Sequence, residues 1–129
     1  MATVEITAEN LDSTITDNDI VFLDFWAAWC GPCRNFAPTY EAASEAHPDI
    51  VFGKIDTEAQ QELAAGAQIT SIPTVMGFRD GILLFAQPGV LPAAGLESLI
   101  SQLKGLDMDD VRAKLAAAES QMASGPAQG

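Results

Sequence analysis

Cys30 and Cys33 are the only cysteines of the chain, set three residues apart in WCGPC behind the apolar run IVFLDFWA, which a single acid, Asp24, interrupts. Thiols at that spacing can form a structural bridge, share a metal, or cycle between dithiol and disulfide. A bridge here would enclose only Gly31 and Pro32. Stabilisation by loop closure grows with loop length, so this one would constrain the unfolded chain very little. A structural zinc takes four Cys or His ligands, and the sequence offers these two cysteines and one histidine, His47, so the chain cannot complete such a site alone. A cysteine-protease dyad fails too, because His47 falls at the far end of the helix that begins at the cysteines. Redox exchange is the chemistry the pair fits best, with a metal shared between subunits as the alternative.

A helix start suits that chemistry. A free thiol titrates near 8.5, leaving only about 3% as thiolate at neutral pH. A helix N-terminus favours an anion by roughly 0.3 to 1 kcal/mol, up to about 2 in partly buried geometry, and about 1.36 kcal/mol is one pKa unit, so a partly buried helix start can lower the thiol pKa by about one unit. Free N–H groups of the first turn add to this. Cys30 precedes the helix at its exposed mouth and is the expected attacking thiol; Cys33, one turn in and shielded, is the expected resolving thiol. Pro32 fits the first turn, where it has no hydrogen bond to lose and its φ is already helical. With Gly31 it preorganises the pair.

Asp24 lies six residues before Cys30 in a run apolar enough for a central strand covered on both faces. An unpaired buried carboxylate is costly. Lys54, in the equally apolar VFGKID, is the expected partner from a neighbouring strand. Desolvation raises the Asp24 pKa and Lys54 lowers it. A raised value would let Asp24 take and return the proton of Cys33 during exchange.

The elements that must position these groups follow from periodicity. Strands are predicted at Thr3–Ile6, Ile20–Ala27, Ile50–Asp56, Thr74–Arg79 and Ile82–Gln87, the last two joined by Asp80-Gly81, a strong hairpin signal. Helices are predicted at Glu9–Ile15, capped by Thr7 or Asn10, from the cysteines to His47 with Pro38 kinking it, at Glu58–Ala65, and at Pro92–Leu103 ending at Gly105. The alternation implies an α/β domain, a mixed sheet with helices on both faces, over residues 1–106. The remaining 107–129 read as an extension: a short helix capped by Asp107 or Asp109, with Val111, Leu115, Ala118 and Met122 on one stripe, then a disordered tail from Ser124.

The chain has 129 residues, 48% of them hydrophobic, enough for one core without a disulfide staple. Six Lys and Arg face 18 Asp and Glu, a net charge of −12 that repels phosphate backbones and anionic membranes. Neither nucleic acid nor membrane is an expected partner. No signal-peptide pattern opens the sequence and no run reaches the roughly 20 apolar residues of a membrane helix, so the expected location is cytoplasmic, where thiols stay reduced.

VFLDFWAAWCGPCRNFAP together with ITSIPTV resembles the thioredoxin family, over about Thr3 to Lys104. The resemblance implies the thioredoxin fold, a central five-stranded mixed β-sheet flanked by four α-helices, here with an extra C-terminal helix. It implies that Cys30 attacks, Cys33 resolves, Asp24 is the buried proton acceptor and Lys54 its basic neighbour. Pro73 matches the family's cis-proline opposite the cysteines, and the Ile72 backbone is then free to pair with an extended stretch of oxidised substrate. Trp29, Gly31, Pro32, Ile72 and Val90 make the implied substrate surface, with no metal and no bound cofactor. The implied cycle is protein-disulfide reduction by a monomer, restored by an FAD-containing, NADPH-dependent thioredoxin reductase. Asn35 and Ser71 depart from the family's usual residues and bear on substrate choice. A redox-independent binding module using the same apolar surface is the competing reading. An oxidant or isomerase is a third, against which Gly31-Pro32 resembles the reductive members.

Overall fold

A computed structural model describes residues 2–124. The apolar run Ile20–Trp26 forms β2, the central strand of a five-stranded sheet ordered β1-β3-β2-β4-β5, with β1 at Thr3–Glu5, β3 at Val51–Asp56, β4 at Thr74–Arg79 and β5 at Ile82–Pro88. β1, β3 and β2 run parallel; β4 and β5 are antiparallel to their neighbours. The central position of β2 accounts for its unbroken hydrophobicity, since alternate residues enter opposite cores. Phe22 packs with Phe52 and Val75 against α2 (Gly31–Ala46) and α4 (Ala93–Lys104) through Phe36, Tyr40, Leu96 and Ile100. Val21, Leu23 and Phe25 pack on the other face, joined by partly buried Leu11 and Ile15 of α1 (Leu11–Asp17) and Leu63 of α3 (Gln61–Gly66). α2 runs through Pro38 as one helix.

Side chains that capture backbone donors set the element ends. The expected helix at Glu9 begins only at Leu11, because the Asn10 side chain accepts the Thr7 N–H at 2.7 Å and donates to the Glu5 carbonyl, holding Thr7–Asn10 as a turn. The helix expected from Glu58 starts at Gln61 for a similar reason: the Asp56 carboxylate accepts the N–H groups of Glu58 and Ala59. Asp80 and Gly81 both take positive φ, 53° and 78°, the conformation of a tight two-residue hairpin. Arg79 donates from one guanidinium nitrogen to the carbonyls of Leu103, Lys104 and Leu106, closing the end of α4.

The C-terminal helix, α5 (Met108–Ser124), is longer than the short helix expected and includes Ser124. Asp107 caps it by accepting from the N–H groups of Asp109 and Asp110. Of its apolar stripe, Val111 is half-buried, whereas Leu115 and Ala118 are exposed; the side chain of Met122 and the tail past Ser124 lie outside the described residues. Met108 is buried and Arg112 bridges to Asp80 at the hairpin turn, so α5 is fastened at its first turn and projects beyond it.

Candidate active site

The parallel half of the sheet delivers β2 to the start of α2, and both cysteines lie at that junction. Cys30 is the N-cap residue of α2, with its backbone still extended. Its N–H donates to the Ala27 carbonyl at 3.1 Å, and its own carbonyl accepts from Arg34 N–H at 3.2 Å, opening the helix. The Cys33 N–H then points at the Cys30 Sγ, 3.2 Å away. This is a first-turn donor with no carbonyl partner inside the helix, so it is free to stabilise negative charge on sulfur. Cys30 and Cys33 are joined as a disulfide with a Cα–Cα distance of 5.2 Å. The expected contrast in exposure is absent: both are buried, at 4% and 3% exposed, because the short loop folds the Cys30 sulfur under Ala27 and Ile72. What separates the two sulfurs is the N–H directed at Cys30.

Across from the pair, the Ile72–Pro73 peptide is cis, and Pro73 is buried. The Ile72 carbonyl oxygen lies 3.7 Å from the Cys30 Sγ, and among the described residues no backbone hydrogen bond engages Ile72. The Pro73 carbonyl accepts from Gly89 N–H at 2.8 Å, fastening the next loop and placing Val90, 48% exposed, near this rim. Trp29 is 66% exposed, Pro32 is exposed, and Gly31 and Ile72 are half-buried. The proposed surface residues are therefore on the same end of the molecule as the disulfide. A groove of about 340 Å³ continues from Trp29 and Ile72 to Thr57, Ala64, Ile69 and Thr70. These four escaped the sequence reading because no motif marks them; they meet only when α3 and the loop after it fold back beside Trp29.

Asp24 is 1% exposed, and neither carboxyl oxygen has a hydrogen-bond partner among the described residues. Burial pushes its pKa from 3.8 up to about 7, with the charge of Lys54 partly opposing the shift. It shares its side of the sheet with Tyr40, whose hydroxyl donates to the Gly53 carbonyl at 2.8 Å and whose pKa is held well above 10.0 by burial and then by the Asp24 charge. Lys54 is the register neighbour of Asp24 on β3, yet the two form no ion pair. The ammonium lies instead over the Trp26 ring, 4.9 Å from its centroid, a contact worth roughly 0.5 to 2 kcal/mol depending on desolvation. Lys54 thus acts on Asp24 as a nearby charge and not as the direct partner expected. His47, in agreement with its helix-end reading, caps α2 and bonds Glu97 at 2.8 Å, far along the helix from the cysteines.

The thioredoxin family model matches residues 2–102. The chain belongs to the thioredoxin family. It is 57% identical, over 93% of its length and 90% of the relative's, to a Streptomyces coelicolor protein provisionally named thioredoxin 2. With thioredoxin-1 of Saccharomyces cerevisiae it shares 36% identity over 73% of this chain and 91% of the relative. Among solved structures it resembles a mutant thioredoxin of Halobacterium salinarum, with a TM-score of 0.75 and 32% identity over 81% of this chain and 92% of that one. The thioredoxin of Plasmodium falciparum gives 0.71 and 34% over 76% and 96%. The mixed five-stranded sheet with helices on both faces is the thioredoxin fold, here with a fifth, C-terminal helix. Family membership and the Cys30–Cys33 pair make this protein a thiol-disulfide oxidoreductase. Thioredoxin family proteins carry no bound cofactor, and among the described residues no three His, Cys, Asp or Glu side chains gather to hold a metal. Also among the described residues, no helix is long and apolar enough to cross a membrane.

Proposed function

We propose that the protein is a protein-disulfide reductase of the cytoplasm, acting as a monomer. The observation that carries this reading is the Cys33 N–H aimed at the Cys30 Sγ at the start of α2, a device that stabilises a thiolate on one sulfur of the pair. In the reduced protein, thiolate Cys30 attacks a substrate disulfide; a new S–S bond forms and one substrate sulfur leaves as a thiolate. Asp24 takes the Cys33 proton, and the Cys33 thiolate attacks the Cys30 sulfur. The second substrate thiolate departs, and the two electrons of the dithiol have passed to the substrate. The open backbone at Ile72, beside Pro73, receives an extended substrate segment, while Trp29, Gly31, Pro32 and Val90 supply contact around it. An FAD-containing thioredoxin reductase returns two electrons from NADPH.

The test is insulin reduction driven by NADPH and thioredoxin reductases from several sources. Sustained turnover is expected, Cys30→Ser should abolish it, and Cys33→Ser should accumulate a substrate mixed disulfide on Cys30. Absence of turnover with every reductase overturns the reading. Substrate binding that survives Cys30→Ser in a wild-type protein lacking turnover would instead favour a redox-independent binding module on the same apolar surface.

A further inference from the structure

Lys54 has three carboxylates within its reach by register or shared cavity, and it bonds none of them. Asp24 pairs with it across β2 and Glu5 across β1, in register on both sides. Asp56, two residues along β3, lines the same cavity of about 240 Å³, with Glu5, Lys54 and Trp26. Among the described residues the ammonium makes no ion pair and sits over the Trp26 ring instead. Trp26 follows Asp24 by two positions on β2, so the two side chains leave the same face of the sheet. Trp26 also packs against the cluster of Ala27, Cys30 and Cys33. One residue therefore touches both the disulfide cluster and the cation whose charge acts on the buried carboxyl.

We propose that Trp26 is a positioning residue: by holding the Lys54 ammonium over its face, it keeps the cation from pairing with Asp24 and so sets the proton affinity of that carboxyl. The inference rests on the proton-acceptor role of Asp24. Without the ring, Lys54 would be free to turn toward its register neighbour Asp24, neither of whose buried carboxyl oxygens has a hydrogen-bond partner. An ion pair favours the ionised acid, and an opposite charge at contact lowers a carboxyl pKa by about one to three units. A carboxyl that ionises too readily would reach Cys33 already loaded with charge but with little drive to accept its proton. The other titratable group facing Asp24 is Tyr40 from α2, neutral throughout the range concerned; β4 presents Val75 in register. In the oxidised protein neither cysteine titrates, so the Asp24 transition can be read alone.

The experiment follows the Asp24 carboxyl by ¹³C NMR titration of oxidised wild type, Trp26→Leu, Lys54→Met and the double variant. Trp26→Leu is expected to lower the Asp24 proton affinity about tenfold, a midpoint about one pH unit lower. Lys54→Met should raise the midpoint, and the double variant should match Lys54→Met. An unchanged or raised midpoint in Trp26→Leu overturns the proposal, as does a downward shift that persists in the double variant. Should Trp26→Leu fail to fold, Trp26→Phe, which offers a cation a weaker face, must shift the midpoint downward by less, and only while Lys54 is present. The titration needs no turnover, so it separates the two readings: a wild type inactive on insulin rejects the reductase, whereas unmoved midpoints in an active protein reject the role of Trp26.

Discussion

At the residue scale, Asp24, the proposed proton acceptor, makes the stability of the fold depend on pH. Its folded-state pKa of about 7 stands above the ordinary 3.8, so the folded chain binds a proton there that the unfolded chain has released. This contribution is fully present below about pH 4, falls as pH rises, and is lost once pH passes through 7. Asp24→Asn, which cannot ionise, is expected to unfold in urea at nearly the wild-type midpoint at pH 4 and to be more stable than wild type at pH 8.5. The gain is at most about 4 kcal/mol, from three pKa units at about 1.36 kcal/mol each, and less where the buried amide lacks partners. The same variant should slow resolution of the mixed disulfide between pH 6 and 9. Exchange at the parent rate would remove Asp24 from the cycle. Asp24 and the cysteines were legible as residues because each is out of place: an acid in an apolar strand, both thiols at a helix start. That Lys54 bypasses Asp24 for Trp26 was not legible, since register puts the acid as near as the ring and only side-chain packing chooses.

At the element scale, one close approach joins β4 to β5. Gly77 in β4 lies directly beneath the Phe85 ring of β5, at the bulge where the register shifts between Gly77 and Phe78. A Cβ built at Gly77 would clash with one edge of the Phe85 ring, and Phe85 itself meets Phe22 edge-on at 5.7 Å. Gly77→Ala must therefore displace an aromatic side chain that packs on the α2–α4 core. The expected cost is about 1 to 3 kcal/mol in chemical denaturation, with the cysteine chemistry intact. A neutral substitution would mean that Phe85 moves freely. Periodicity located all five strands and all five helices of the described chain. It misplaced the starts of α1 and α3, because Asn10 and Asp56 spend their side chains on backbone N–H groups that a helix would otherwise use.

At the scale of the whole molecule, the two ends do different things. Cys30, Ile72, Pro73 and Trp29 gather where β2 ends and β4 begins, whereas α5 is tied by Arg112 to Asp80, past the other end of β4. We propose that the redox domain ends near Leu106; the first turn of α5 is nevertheless held to the body by buried Met108 and by the Arg112–Asp80 bridge. Met108→Ala is expected to destabilise by about 2 kcal/mol, since a buried methionine side chain is lost. A chain ending at Arg112 should keep the full rate of insulin reduction and lose no more than about 1 kcal/mol, because Leu115 and Ala118 bury little. A truncated chain with impaired turnover would show that the extension reaches the substrate or the reductase.

Local sequence determined the order of the elements, the reactive pair at a helix start, the acid buried in a strand and the Asp80-Gly81 turn. Each of these depends on residues within a few positions of one another. Tertiary structure alone decided that the Ile72 carbonyl comes within 3.7 Å of a sulfur 42 residues away, and that α3 closes a groove beside Trp29. It also decided that Cys30 is as buried as Cys33, and that a tryptophan, not an acid, receives the Lys54 ammonium. The physical reason is common to all four. Strand pairing fixes which residues become neighbours, but the competition among neighbours for one ammonium, one N–H or one apolar face is settled by packing across the sheet, which no local window contains.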